Sequence, residues 1–287
     1  MVALFLVEPR QIVPESTMIN LSSVLEIATV THPGMVRPHN EDSIAADAES
    51  GLAVLADGMG GHNAGEVASG IAVALISSET RKALAAGEPH ELNGNRIELL
   101  IKEQAAKANT AIFQASQSQP QYSGMGTTLV IALWFDNHLF VGHIGDSRLY
   151  RLRSDALEQV TRDHSWLQEQ IDSGMITKEQ ARYSPNKNLV TRAVGIDPEV
   201  EAEVHAYAVE PGDIYLLCSD GLPDMVTDEE IQLTLSSLKA NLPLAAEQLV
   251  QQANDNGGRD NISVILVRVL KDFPVHRGWL KKLKSWL

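Results

Sequence analysis

Apolar residues recur along this chain in two rhythms, and the places where the rhythm changes divide it into elements. Short, mostly apolar runs bounded by Gly, Asp or Asn predict strands over Val24–Thr31, Gly51–Ala56, Thr127–Phe135, His138–Gly145, Arg148–Leu152, Leu157–Thr161, Val204–Val209, Ile214–Ser219 and Ile262–Val269. Asp136-Asn137, between two of these runs, predicts a tight hairpin. The period lengthens after Asn63, which reads as an N-cap with Glu66 three residues on, an arrangement like a capping box. Val67, Ile71, Ala74, Leu75 and Ser78 trace one helical face, and Gly87 can close that helix. A second helical pattern covers Glu98–Ser118, with Ile101, Ala105, Ala108 and Ile112 on one side. Two more are expected over Asp228–Leu238 and Leu244–Asn254.

The stretch Asp163–Gly195 is polar and partly helical (Trp166–Asp172, Lys178–Arg182), and it interrupts the strand series. Two long helices follow one another between strands, without the alternation that a parallel sheet requires. Many antiparallel strands with paired helices between them point to an α+β fold, sheet packed on sheet and flanked by helices. There is no internal repeat, low-complexity stretch or linker. The expected organisation is a leader over 1–22, one domain over 23–270 and a distinct tail over 271–287.

Composition narrows the function classes. The chain has 287 residues, 44% hydrophobic and 21% charged, an ordinary balance for a protein with a buried core. With 23 Lys and Arg against 37 Asp and Glu, the formal charge is −14, which disfavours nucleic acid as a partner. The single cysteine, Cys218, allows no intrachain disulfide, and its apolar strand makes it a core residue rather than a nucleophile. No apolar run approaches the ~20 residues of a membrane-spanning helix. Met1–Val7 lacks a basic lead-in and meets Glu8 too soon for a secretory signal, so a cytoplasmic protein is expected.

Four aspartates share a local context. Asp57, Asp146 and Asp220 each follow an apolar strand, and Asp260 stands just before one. A carboxylate at a strand end is held by rigid backbone, and an adjacent glycine lets a cation approach closely. If the four ends converge, hard divalent cations with oxygen ligands, Mg²⁺ or Mn²⁺, would offset their mutual repulsion. There is no compact His/Cys cluster of the kind zinc favours. Taken singly, an Asp before Gly at a strand end is more often a turn residue than a ligand.

Eight motifs in register go further: Gly34-Met35-Val36-Arg37-Pro38-His39-Asn40-Glu41-Asp42-Ser43, Asp57-Gly58-Met59-Gly60-Gly61-His62-Asn63-Ala64-Gly65-Glu66, Gly124-Met125-Gly126-Thr127-Thr128, Gly145-Asp146-Ser147-Arg148, Asp163-His164-Ser165, Thr191-Arg192-Ala193-Val194-Gly195, Ser219-Asp220-Gly221-Leu222 and Gly258-Arg259-Asp260-Asn261-Ile262-Ser263. Together they resemble the metal-dependent protein phosphatases, the protein phosphatase type 2C family, in its compact bacterial branch. The resemblance implies a central antiparallel β-sandwich flanked by pairs of helices, a four-layer αββα arrangement with the metal site at one end. It implies that Asp57 bridges two Mn²⁺ or Mg²⁺ ions, that the Gly58 carbonyl reaches one, and that Asp220 and Asp260 complete the second. Glu41 and Asp42 would act through metal-held waters, and Asp146 with Asp220 would hold a weaker third ion. A hydroxide bridging cations about 3.5–4 Å apart would attack the phosphoryl group directly, without a phosphoenzyme. Arg37 would offset charge on the phosphoryl oxygens. The implied substrate is a phosphorylated protein, the product of a serine/threonine kinase, and Asp163–Gly195 corresponds to the flap beside the site.

One departure concerns the proton donor. Many eukaryotic relatives carry histidine where this chain has Met59, which has no proton to give. His62, three residues on, is a candidate for substrate binding or proton transfer, and equally for capping the helix that follows. The tail is a separate matter. Trp279, Leu280, Leu283, Trp286 and Leu287 share one helical face with lysines away from it. That pattern suits contact with an anionic membrane surface or a partner protein, and suits packing on its own domain. The competing function classes are a catalytically dead member serving as a binding module and a two-metal hydrolase of small phosphate esters or nucleic acid.

Overall fold

The computed structural model describes residues 20–61, 64–87, 92–177, 180–181, 184 and 189–275. Strict alternation of side chains along its strands separates three apolar layers. One sheet runs in the order β1 (Leu25–His32), β11 (Ile262–Val269), β10 (Ile214–Cys218), β7 (Arg148–Arg153), β8 (Ala156–Gln159). The other runs β2 (Asp42–Asp47), β3 (Leu52–Met59), β5 (Leu129–Phe135), β6 (His138–Ile144), β9 (Glu203–Ala208), with the two-residue β4 (Gly126–Thr127) on the end of β3. Every pairing is antiparallel. In β3, Ala53 and Leu55 point between the sheets, while Leu52, Val54 and Ala56 point outward. In β10, Tyr215 and Leu217 point inward, and Ile214, Leu216 and Cys218 outward. Because both faces of these strands are covered, they read in sequence as nearly continuous apolar runs.

The outer layers are helices. α1 (Ala64–Ala86) and α2 (Gly94–Ser118) cover the β3–β5–β6 face, and α4 (Asp228–Leu238) and α5 (Leu242–Asp255) cover the β10–β11 face. The four-layer αββα architecture expected above is thus the one present. A short α3 (Trp166–Asp172) stands apart in the polar segment after β8. Between the sheets, Trp134 and Tyr215 meet edge to face at 5.7 Å. Asp136 and Asn137 both have positive φ (50° and 57°), as a two-residue turn twisted with its strands requires. Ser154 and Asp155 repeat this at the β7–β8 turn (50° and 61°).

Four local readings differ from the structure. The buried face of α1 is Ala68, Ala72 and Ile76, whereas Ala74 is exposed and Val67, Ile71 and Leu75 only flank the core. α1 lies against both β3 and α2, and small residues let it approach both, so the bulkier apolar positions are displaced to the sides. α2 begins at Gly94 rather than Glu98, because the Asn93 side chain accepts the Arg96 N–H one turn earlier than the first apolar residues suggest. α5 likewise starts at Leu242, capped by Asn241 with Pro243 in the first turn. β2 was not foreseen at all: its half-exposed Asp-Ser-Ile-Ala-Ala-Asp sequence lacks the apolar run of an interior strand. The proposed caps of α1 at Asn63, most of the helix over Lys178–Arg182, and the basic tail from residue 276 lie outside the described residues.

The core also extends slightly past the expected 23–270 limits. Leu21 and Phe273 are both buried in the inter-sheet cluster. Phe273 and Val275 donate backbone N–H groups to the side chains of Asn137 (2.5 Å) and Asp136 (2.9 Å), so the start of the tail lies on the β5–β6 turn.

Leu217 sits fully buried between the sheets. Leu217→Ala is expected to cost about 2–5 kcal/mol, read as a lower urea midpoint at unchanged slope. A loss under about 1 kcal/mol would show that this layer collapses readily around the gap.

Candidate metal centre and active site

Both sheets deliver carboxylates to the same end of the sandwich. Asp57 lies at the end of β3, directly opposite Asp42 at the start of β2. Asp146 follows β6, Asp220 follows β10, and Asp260 precedes β11. Arg37, Glu41, Asp57, Gly58, Asp146, Asp220 and Asp260 all line one cavity of about 220 Å³, together with Met59, Thr128 and Asn261. Asp42 is buried just behind it. His62, the remaining candidate, lies outside the described residues. A larger cavity of about 490 Å³ adjoins the first through Asp146 and Asp220, between α3 and residues 223–229.

Backbone hydrogen bonds fix the ligating positions. The Asp57 N–H donates to Thr128 Oγ1 (3.0 Å), and its carbonyl accepts from the Thr128 N–H and the Thr127 hydroxyl, both at 2.8 Å. The Gly58 N–H donates to the Glu41 carbonyl (3.1 Å). A Cβ on Gly58 would lie 2.1 Å from the Gly65 carbonyl oxygen and 2.6 Å from that of Glu41, so only glycine lets the start of α1 abut this loop. Asn261 ties the two sheets' loops together. Its side chain accepts the Glu41 N–H (2.8 Å) and donates to the carbonyls of Pro33 (3.0 Å) and His39 (2.9 Å). Ser219 reaches across the site, its hydroxyl donating to Asp42 Oδ2 at 2.8 Å while accepting the Ser263 N–H. Asn261, Ser219 and Thr128 were quoted within motifs but given no role in the sequence reading. Their flanking of Asp260, Asp220 and the Gly124–Thr128 string was the available signal.

The electrostatics follow from this crowding. Burial, and then the charges of Asp42, Asp220, Asp146 and Asp260, holds the Asp57 carboxyl well above the usual range. Asp220 is raised likewise, by burial and then by Asp146, Asp224, Asp260 and Asp42. Burial lifts Asp42 to about 6 against the hydrogen bonds of Ser263 and Ser219, and lifts Asp146 to about 7 with help from Asp163. Glu41 is also raised by burial, with Arg37 opposing. Asp42 Oδ1 is buried without a hydrogen-bond partner. Arg37 binds Asp260 Oδ2 at 2.7 Å and remains half-exposed.

A set of oxygen donors, mostly raised in pKa, facing a small cavity with one unsatisfied carboxylate oxygen behind it, fits hard divalent cations. Among the described residues lining the cavity there is no Cys or His, which separates the donor set from a structural zinc site.

Comparison with known proteins agrees with this chemistry. The sequence profile of the protein phosphatase 2C family matches residues 37–266. The serine/threonine phosphatase stp of Listeria innocua is 38% identical over 240 residues, 83% of this chain and 93% of that protein. The serine/threonine protein phosphatase PstP of Mycobacterium tuberculosis is 41% identical over 256 residues, 88% of this chain and 46% of its own length. Among solved structures, the catalytic domain of PstP in complex with two manganese ions superposes with a TM-score of 0.76 at 38% identity, covering 86% of this chain and 99% of that one. The chain belongs to the protein phosphatase 2C family, and it is similar there to bacterial serine/threonine phosphatases.

The raised carboxyl of Asp146 makes a signed prediction. A group that holds its proton more tightly when folded stabilises the fold in acid, and that contribution is lost as pH climbs through about 7. Without metal, the melting temperature of the wild type relative to Asp146→Asn is expected to fall steadily between pH 4.5 and 8. The difference cancels the opposite trend from His143 and His164, whose imidazoles burial pushes down. Parallel curves would contradict a protonated Asp146.

Proposed function

We propose that this chain is a metal-dependent serine/threonine phosphoprotein phosphatase that transfers the phosphoryl group directly to water, without a phosphoenzyme. The observation carrying this reading is the convergence of Asp57, Asp146, Asp220 and Asp260 with Arg37 on one solvent-facing cavity. Asp57, the Gly58 carbonyl, Asp220 and Asp260 would hold a pair of Mn²⁺ or Mg²⁺ ions. Glu41 and Asp42 would orient waters around them, and Asp146 with Asp220 would hold a weaker third ion. When bound, such ions supply a water acidified to act near neutral pH and Lewis acidity toward the phosphoryl oxygens.

The rest is the work of the chain's own residues. Arg37 commits one N–H to Asp260, and its other donors are free to take a phosphoryl oxygen. Ser219 and Asn261 keep Asp42 and the Glu41 loop in place as charge accumulates. Among the described residues lining the cavity there is no Cys, Ser or His, which supports direct attack. Thr128, the lone hydroxyl there, is engaged with the Asp57 N–H and Ser147. Cys218 is buried away from the cavity, its thiol pushed up by burial.

The substrate is a phosphorylated protein made by a serine/threonine kinase. The flap over 163–195 contacts its chain, and the adjoining cavity gives the flanking residues room. The names of the relatives support this assignment. No helix among the described residues is long and apolar enough to cross a membrane, and together with the buried free thiol this supports a cytoplasmic location. The net charge of −14 speaks against nucleic acid. The complete carboxylate set speaks against a purely binding role.

Phosphate release from a phosphothreonine peptide should require Mn²⁺ and stop with chelator. Asp220→Asn should lower it by at least the ~100-fold that losing even an outer-shell partner can cost. Turnover indifferent to chelator would refute the metal mechanism. No turnover from folded, Mn²⁺-loaded protein would point to the binding module.

A further inference from the structure

His164 grips the turn that carries Asp146 by both of its peptide groups. Its backbone N–H donates to the Gly145 carbonyl (2.9 Å), and the Gly145 N–H donates back to His164 Nδ1 (3.2 Å). Gly145 has φ +103°, and a Cβ there would lie 2.8 Å from the Thr128 side chain, so this turn has little freedom of its own. His164 is 5% exposed, and its ring stacks on that of His143 at 4.6 Å. Its carbonyl also accepts the Thr191 N–H (2.8 Å), and the next residue, Ser165, caps α3.

The hydrogen bonds determine the ring's tautomer. With the Gly145 N–H on Nδ1, the single proton of neutral His164 sits on Nε2, facing Glu203 Oε2 at 3.3 Å. Glu203 is kept an anion mainly by His205, whose Nε2 lies 2.8 Å from the other carboxylate oxygen. A proton on Nδ1, in the other tautomer or in the imidazolium, would set two N–H groups against each other at Gly145.

We propose that His164, held in one tautomer by Glu203, is the positioning residue for Asp146. The inference rests on the reading of Asp146 as a cation ligand for its functional meaning, but the clamp on Gly145 stands independently of it. His143, His164 and Glu203 lie close enough together to invite a transition-metal reading. The hydrogen bonds oppose that reading. Ligation through Nε2, with an N–H already on Nδ1, would leave the ring no proton, and rings stacked within 20° of parallel do not aim both lone pairs at one ion.

The test compares His164→Leu, which loses the acceptor at Nδ1, with His164→Asn, whose Oδ1 replaces it, and Glu203→Leu, which releases the tautomer. Hydrogen exchange of the Gly145 amide is followed in metal-free protein, and Mn²⁺ binding by calorimetry in the full chain. Asp146→Asn identifies the Asp146-dependent binding event. We expect faster Gly145 exchange in His164→Leu, a smaller increase in Glu203→Leu, and near-wild-type exchange in His164→Asn. The Asp146-dependent Mn²⁺ event should weaken by about 10–100-fold in His164→Leu and largely recover in His164→Asn, with the other binding events unchanged. Unchanged Gly145 exchange in His164→Leu, or equal impairment in the Leu and Asn variants, would overturn the proposal. Stoichiometric Zn²⁺ uptake by Asp146→Asn that vanishes on adding His164→Asn would overturn it in favour of a metal site. If Asp146→Asn leaves the Mn²⁺ titration unaltered, the ligand reading of Asp146 fails, and the Gly145 exchange still decides the role of His164.

Discussion

Carboxylates crowded at one end of a sandwich repel each other and resist leaving water, and the site's architecture answers to that constraint. Asp57 and Asp220 come from different sheets, so their approach is enforced by packing of the sheets rather than by local sequence. Around Asp57 the backbone is fixed by Thr127, Thr128 and, through Gly58, Glu41. At Asp42 and Asp260 the carboxylates themselves are held, by the Ser219 hydroxyl and by the Asn261 backbone N–H. These neutral groups hold the acids in place without cancelling their charge, which leaves a strong demand for cations in the cavity. Arg37 is the exception, since it partly offsets Asp260 at the open rim where phosphate would arrive.

Burial also sets the protonation of these acids. A carboxyl with raised pKa keeps its proton, so the metal-free protein avoids holding several buried anions together. Cation binding must then displace protons, which ties metal affinity to pH. The sandwich supplies the rigidity this needs, with Tyr215 and Leu217 locked against the opposite sheet five and three residues before Asp220.

Much of this was legible in the sequence, because the governing features are local. Alternating and continuous apolar runs located every strand of four or more residues except β2, most readily where both faces are covered and few polar positions confuse the pattern. Asp136-Asn137 declared its turn because positive φ at both central residues favours those types. Features set by tertiary packing were hidden. The core face of α1 passes through Ala68 and Ala72 because two neighbours press on it, and hydrophobicity alone favoured Val67 and Ile71. β2 is an edge strand with a polar sequence, recognisable only by its pairing with β3. At the site, strand-end position marked the aspartates as candidates, but their convergence needed the family resemblance to be anticipated. Asn261 and His164 act through hydrogen bonds to backbone far away in sequence, which no spacing rule reveals.

The most direct test of this account is the proton count on Mn²⁺ binding, from titration calorimetry in buffers of different ionisation enthalpy at pH 6. The account predicts net proton release, reduced in Asp146→Asn, because Asp146, lifted to about 7, holds a proton that the cation must displace, and burial raises Asp57 and Asp220 in the same direction. Tight Mn²⁺ binding with no proton release would contradict it, since the carboxylates would then already be ionised and their crowding would not be what prepares the site.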